Sequence, residues 1–274
     1  MEENMPIEPV EYLETDNEEE VWILDKVREI FIEGNNRWEY DDYIELQISN
    51  WLSDKNITPQ IIFSLAEKRQ DQSKYWTLLA FFNVCGFGTR HNNAKAFEWY
   101  KKAAEIGDTL GQQEVGIFYQ QGIGTDQNLD EAIKWFSKAA DAGMAIAAYH
   151  LARKYLRGEG VEMDVGRAVY FNKKSAEAGF GEAYAAIGWM HFFGDGVPQN
   201  QRTALTWFQM LEETGSISGT TTVAIFHYSG FGTNSDKHEA IKVYLRLMRS
   251  GSFNYSELRH KLEEIFDKNQ TFRF

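Results

Sequence analysis

Residues Tyr119–Gly143 read YQQGIGTDQNLDEAIKWFSKAADAG. A Gly-x-Gly pair, Gly122 and Gly124, stands in front of a stretch with helical periodicity. Such a pair is either the mouth of a phosphate-binding loop or a turn between two helices. One reading leads to an enzyme and the other to a scaffold. The rest of the chain decides between them. The pair recurs every 36 residues, as Gly86/Gly88, Gly122/Gly124, Gly158/Gly160, Gly194/Gly196 and Gly230/Gly232, without insertion or deletion. Ten residues after each first glycine comes an alanine: Ala96, Ala132, Ala168, Ala204, Ala240. At plus 21 comes a closing glycine: Gly107, Gly143, Gly179, Gly215, Gly251. Six residues before each first glycine is a small residue (Ala80, Gly116, Ala152, Gly188, Ala224), preceded by an aliphatic one. A nucleotide loop has no reason to recur five times in register, and no copy continues as a Walker motif or follows a strand pattern. A fixed period of this size is the mark of a stacked repeat.

The repeat is legible as a helix-turn-helix. Helix A spans roughly 13 residues and ends at the first glycine, which can adopt φ > 0. The second glycine lets the chain reverse. Helix B starts at Asn92, Asn128, Asp164, Asn200 or Asp236, all suited to cap it. Large residues follow at 13 and 14 after the first glycine: Trp99/Tyr100, Trp135/Phe136, Trp207/Phe208 and Val243/Tyr244, with Phe171/Asn172 breaking the pattern in the third copy. Small residues on one helix and large ones on the other suit close packing. Five repeats are expected, at 73–108, 109–144, 145–180, 181–216 and 217–252. Upstream, 21–72 reads as an N-terminal helical segment containing amphipathic stretches at Val21–Ile32 and Asp42–Leu52. Asn56-Ile57-Thr58-Pro59 then opens a further helix with a cap and a first-turn proline. Downstream, 253–274 reads as a capping helix (Ser256–Phe266) and tail.

The runs A-x-x-x-L-G-x-x-Y-x-x-G-x-G and A-x-x-W-Y-x-x-A-A-x-x-G resemble the Sel1-like repeat family, relatives of the tetratricopeptide repeats. The second run is carried by Ala96, Trp99, Tyr100, Ala103, Ala104, Gly107 and again by Ala132, Trp135, Phe136, Ala139, Ala140, Gly143. The resemblance covers 73–252 and implies an all-α, right-handed α-solenoid that binds a protein partner through its concave surface, as an adaptor in signalling or complex assembly. The Ala-Ala pair becomes Leu211/Glu212 and then Leu247/Met248, and the helix-A tyrosine (Tyr119, Tyr155) is Asn83, His191 and His227 elsewhere. Helical block plus repeats is similar to Sel1-repeat proteins of mycorrhizal fungi, where kinase-like domains often precede the repeats. That likeness implies kinase-containing signalling proteins as possible partners. The chain itself has no G-x-G-x-x-G, H-R-D or D-F-G, so kinase activity does not carry over.

Charge narrows the partners. Residues 1–20 hold nine acids and no Lys or Arg, leaving 32 acids against 28 bases over the rest. The first 20 residues therefore read as a solvated acidic arm. With no basic stripe, nucleic acid is not an expected partner. Nothing in the sequence has the length of a membrane span, and neither a signal pattern nor a prenylation cysteine is seen, so a cytoplasmic location is expected and membrane insertion is not. A single cysteine, Cys85, excludes an intrachain disulfide framework.

Catalytic sets are not evident, and neither cofactor nor metal is expected. His191 and His227 occupy one slot in neighbouring repeats, where stacked helices lie about 8–10 Å apart, too far to share a metal ion. They read as substitutes for a packing tyrosine. Cys85 has no histidine in a partnering slot. The chain is therefore expected not to be an enzyme. Two alternatives stand beside the scaffold: a hydrolase of the cysteine-rich Sel1 type, which the lone cysteine disfavours, and a self-assembling solenoid.

What remains is surface. In this family the concave wall is lined mostly by A helices. Its stripe should lie 12, 8, 5 and 1 residues before each first glycine. In the third repeat this gives Ile146, His150, Arg153 and Arg157, and in the fourth Glu182, Ala186, Trp189 and Phe193. The fifth-before slot holds Phe81, Ile117 and Ile225 in the other repeats. An arginine pair thus faces an aromatic pair one repeat away, and Arg and Trp are enriched in binding hot spots. The competing reading is that Trp189 and Phe193 fill gaps between repeats while the arginines cap helix carbonyls.

Overall fold

A computed structural model describes residues 17–36 and 41–249. The acidic arm up to residue 16, the C-terminal capping helix and Gly251 lie outside these residues. All regular structure among the described residues is helical, and the chain divides into two compact units, Met1–Ala139 and Ala140–Phe274.

The first unit begins with α1 (Asn17–Asn36), four residues before the expected start at Val21. Its first turn takes in Glu18, Glu19 and Glu20, which favour the positive end of the helix dipole. Glu20 also pairs with the buried Arg69 at 2.9 Å. These three acids are therefore part of the folded body rather than of the arm. Then come α2 (Asp41–Ser53), α3 (Pro59–Lys68), a short 3-10 turn (Ser73–Tyr75) and α4 (Trp76–Cys85). They lead to α5 (Asn93–Glu105), α6 (Thr109–Gln121) and α7 (Leu129–Asp141), the last of which ends just past the unit's boundary. The second unit holds α8 (Ala145–Arg157), α9 (Val165–Glu177), α10 (Gly181–Phe193), α11 (Gln201–Glu213), α12 (Ile217–Ser229) and α13 (Lys237–Arg249).

Each turn is built the same way. The first glycine ends helix A with φ between +68° and +84°, a region closed to most side chains. The cap residue then acts twice. Its side chain accepts from the N–H three residues on, at 2.9–3.0 Å in all five turns. Its own N–H donates back to the carbonyl of Asn83, Tyr119, Tyr155, His191 or His227, at 2.7–2.9 Å. Since the turn uses only the carbonyl of that helix-A residue, its side chain is free to vary between Tyr, Asn and His. The second glycine has a reason beyond reversal. A Cβ on Gly88 would stand 2.1 Å from the Pro59 carbonyl oxygen, and one on Gly124 would stand 2.2 Å from that of Asn93. Gly196 and Gly232 stand in the same way on Val165 and Gln201, so these four turns lie directly on the first residue of the preceding helix B.

That contact identifies an extra hairpin. Pro59 opens α3, capped by Thr58, and Gly88 packs on it as Gly124 packs on the start of α5. Before α3, Asn56 adopts φ +56°, and the Ile57 N–H bonds the Leu52 carbonyl at 3.1 Å. This repeats the closure in which the Phe87 N–H bonds the Phe82 carbonyl at 2.9 Å after Gly86. Thus α2–α3 has the build of a repeat preceding the first, with Asn in the glycine slot. Its turn is four residues shorter, since Asn56 to Thr58 stands where Gly86 to Asn92 would. The core of this end comprises Leu24, Val27 and Phe31 of α1, Ile44 and Ile48 of α2, Ile62 of α3, and Phe81 and Phe82 of α4.

Between A and B helices the packing rule is explicit. Gly116 and Gly188 leave room for the rings of Phe136 and Phe208, whose atoms would lie 2.7 and 2.8 Å from an added Cβ. The other repeats carry Ala80, Ala152 and Ala224 in the slot of these glycines.

Candidate functional site

The structure distributes the expected wall residues unevenly. Phe81 is a correction: it is 1% exposed, packed against Phe31 at 4.9 Å, because α1 covers this face of α4. It belongs to the core and offers nothing to a partner. Ile117, also in the first unit, is half-buried.

In the second unit, α8 presents Arg153 and Arg157 to solvent. Four residues apart, they lie on one helix face, where like charges repel. Arg157 approaches Glu159 at 3.5 Å. Arg153 forms no ion pair among the described residues, and its guanidinium lies 5.9 Å from the Tyr149 ring centre. The arginines therefore do not serve as carbonyl caps in this structure. Tyr149 itself packs with Phe180 at 5.2 Å and joins the cluster of Ala176, Ala183 and Ile187, which ties α8 to α9 and α10. His150 is mostly enclosed. Burial, with the neighbouring charges of Arg153 and Lys154, pushes its imidazole down to about 4. It is neutral at pH 7 and shapes the wall without adding charge.

On α10, Trp189 is half-buried. Its ring meets Phe208 at 4.8 Å, Phe192 at 5.7 Å and Phe193 at 5.8 Å. Trp189 thus fills the gap between helices, as the competing reading has it. Phe193 is different: it stacks on Trp189 yet stays 47% exposed. Ile225 on α12 is half-buried. Arg153, Arg157, Glu182 and Phe193 are the exposed residues of the wall stripe in the third and fourth repeats.

The third repeat departs from its neighbours in ways the period did not reveal. Four residues before the first glycine, the interior slot holds Phe82, Phe118, Met190 and Phe226, but Lys154 in the third copy. One residue after that glycine stand Phe87, Ile123, Asp195 and Phe231, but Glu159 in the third copy. Where the first and fifth repeats pair rings (Phe82–Phe87 at 5.3 Å, Phe226–Phe231 at 5.6 Å), the third has an ion pair. Lys154, 5% exposed, donates to Glu159 at 2.8 Å. The ammonium beside Glu159 holds that carboxyl below its usual range. Opposite, the buried Asn172 amide lies 3.7 Å from the Met190 sulfur and takes the place of a ring. The signal was readable by comparing slots between copies. It was missed because these slots are neither glycine nor alanine.

No helix among the described residues is long and apolar enough to cross a membrane, and no three His, Cys, Asp or Glu side chains converge there as a metal site would require. Cys85 is half-buried at the end of α4.

Repeated helix hairpins with glycine closures, capped B helices and one small-against-large packing rule define a class, the α-solenoid scaffolds. The Sel1 repeat family profile matches residues 77–108, 109–144, 145–180 and 181–213, together half of the chain. The chain belongs to the Sel1 repeat family. The fifth hairpin, α12–α13, lies beyond the matched region but keeps the same caps and closures. Among solved structures, the protective antigen c5321 of uropathogenic Escherichia coli, described as displaying an SLR fold, superposes with a TM-score of 0.70 at 23% identity. The match covers 90% of this chain and 53% of that one, so the chain spans about half the length of the antigen. A Sel1 repeat protein from Oxalobacter formigenes gives a TM-score of 0.63 at 26% identity, over 80% of this chain and 92% of that one. No curated protein matches the chain significantly. The Sel1-repeat solenoid is in general a protein-interaction scaffold.

Proposed function

We propose that this chain is a non-catalytic adaptor that holds a protein partner on its A-helix wall, within a signalling or assembly complex. The resemblance noted in the sequence makes kinase-containing signalling proteins the first partners to try. The observation that carries the reading is the surface of α8. Arg153 and Arg157 stand on one exposed face, Arg153 without a carboxylate partner among the described residues. A like-charge pair is unfavourable for an isolated helix, and a bound carboxylate would relieve it. Phe193, stacked on Trp189 and 47% exposed, supplies an apolar anchor on α10. Arginines and aromatics of this kind dominate measured hot spots.

The test uses Arg153→Glu and Phe193→Ala, since both side chains reach solvent and neither change should harm the fold. Trp189→Ala would open a cavity and is unsuitable. Proteins captured from a cell extract on the wild-type chain should be lost or much reduced on the folded double variant. Equal capture on both proteins refutes the A-helix wall as the recognition surface.

A further inference from the structure

We propose that the turn edge of the third repeat is a second docking surface. It takes an extended peptide that carries a large apolar residue two positions from a lysine or arginine, since alternate side chains of an extended segment share one face. The proposal does not depend on the A-helix wall, and its charge preference is the opposite one.

The observation starts from the other turns. In three of the five, the residue five after the first glycine folds back and donates to the carbonyl two residues before that glycine. Gln127 donates to Gln120 at 2.8 Å, Gln199 to Phe192 at 2.9 Å, and Ser235 to Tyr228 at 2.8 Å. In the third repeat this residue is Met163, which has no donor. The Leu156 carbonyl it would reach accepts no hydrogen bond among the described residues. Met163 instead stands 64% exposed, the most exposed large apolar side chain among the described residues. Leu156 is 40% and Tyr170 58% exposed on the same repeat. Tyr170 occupies a slot held by Glu98, Lys134, Thr206 and Lys242 in the other copies.

Under Met163 lies a cleft of about 380 Å³, lined by Tyr155, Val161, Glu162, Met163, Asp164 and Arg167. Its wall is fixed by contacts inside the repeat. Arg167 donates to the Tyr155 hydroxyl at 3.0 Å and lies 3.4 Å from the Asp164 carboxylate, which also caps α9. Tyr155 stacks on Phe171 at 5.7 Å. The one cation of the cleft is thus already matched, and an anionic ligand gains nothing from it. Glu162, on the rim, is exposed and has no ion pair among the described residues. The cleft therefore offers the apolar side chains of Val161 and Met163 beside the unmatched negative charge of Glu162, and the Leu156 carbonyl lies on the same turn. The complement is a peptide N–H, an apolar side chain and a neighbouring cation. Extended segments supply these together, because a backbone donor and alternate side chains lie along one edge.

The experiment selects peptides from a random phage-displayed library on the full chain. The winners are then synthesised and titrated by fluorescence anisotropy against wild type, Met163→Gln and Glu162→Lys. Met163→Gln installs the turn cap found at Gln127 and Gln199, so the fold is kept while the carbonyl and the mouth of the cleft are closed. The expected result is enrichment of sequences with an apolar residue two positions from Lys or Arg. Met163→Gln should bind them at least about tenfold more weakly, a loss of about 1.4 kcal/mol. Glu162→Lys should bind them more weakly as well and prefer peptides in which an acid replaces the base. Three results each overturn the proposal: no enriched peptide, enrichment without a basic residue at that spacing, or equal affinity for wild type and Met163→Gln with its melting temperature unchanged.

Discussion

Gly188→Ala tests the packing rule most directly. Gly188 lies inside α10, where alanine is favoured over glycine by about 1 kcal/mol in helix propensity. Propensity alone therefore predicts a more stable protein. Packing predicts the reverse. A Cβ at this position would stand 2.8 Å from two ring carbons of Phe208 and 3.1 Å from a third. The ring cannot retreat easily: Phe208 is 1% exposed, with Trp189 at 4.8 Å and Phe226 at 5.1 Å. Overpacking of this kind costs about 1–3 kcal/mol, and the propensity gain offsets up to about 1 kcal/mol of it. The net loss should be about 1–2 kcal/mol, which for a chain of this size lowers Tm by roughly 2–8 °C. Thermal unfolding followed by circular dichroism measures it. Gly166→Ala is the control. Its new Cβ would meet only the Asp164 carboxylate oxygen, at 3.3 Å, so the change should be neutral or stabilise by up to about 1 kcal/mol. In a Phe208→Leu background the Gly188→Ala loss should largely disappear, a coupling of about 1 kcal/mol or more. A Gly188→Ala protein that melts at or above the wild-type temperature would show that the ring has room, and the rule would be wrong.

Two further outcomes follow from the third repeat. Lys154→Met should be neutral or stabilising, because methionine fills this slot as Met190 does and the abandoned Glu159 side chain is 41% exposed to water; Glu159→Gln leaves a lysine side chain only 7% exposed without its partner and should cost about 1–3 kcal/mol, read as a shift in denaturation midpoint. The reverse order of the two variants would contradict the ion-pair account. His150, held near 4 when folded against an unfolded value of 6.5, binds its proton more readily in the unfolded chain, so its contribution is complete above pH 6.5 and is lost as pH falls toward 4. The loss should reach about 2–3 kcal/mol, and subtracting the pH–stability curve of His150→Gln from that of wild type isolates it; superimposable curves would mean that His150 is not buried neutral.

Most of the fold could be read from the chain because its turns need particular residues at fixed distances. A glycine with positive φ, a cap whose side chain and N–H are both used, and a glycine lying on a neighbouring backbone each leave a mark every 36 residues. The extra α2–α3 hairpin escaped for the same reason. Asn56 replaces the glycine, at a positive φ that asparagine tolerates better than most residues, and the shortened turn throws the hairpin out of register. The wall was harder to read. Helical spacing placed Arg153, Arg157 and Phe193 on the surface correctly, but it could not show that α1 covers Phe81 or that Trp189 has four aromatic neighbours within 6.5 Å. Burial by a distant segment depends on tertiary packing, and no local period encodes it.

The departures of the third repeat sort themselves by whether a compensating change accompanies them. Lys154 in an apolar slot comes with Glu159 in the slot that faces it. Asn172 in a ring slot comes with Met190, whose sulfur its amide approaches at 3.7 Å. These pairs preserve packing and charge balance, and folding alone accounts for them. The outward changes have no such partner. Met163 gives up a turn cap that three other copies keep, and nothing nearby replaces the lost donor. Tyr170 exposes a ring where other copies carry a polar or charged side chain. Arg153 adds a charge that no carboxylate among the described residues answers. Each of these is unfavourable or neutral for the isolated chain. A bound partner would make each favourable, by covering the apolar surface or by supplying the missing donor or the missing acid. Arg153, Met163 and Tyr170 all belong to the third repeat, so the proposed adaptor wall and the proposed turn-edge docking surface both draw on changes that folding does not explain.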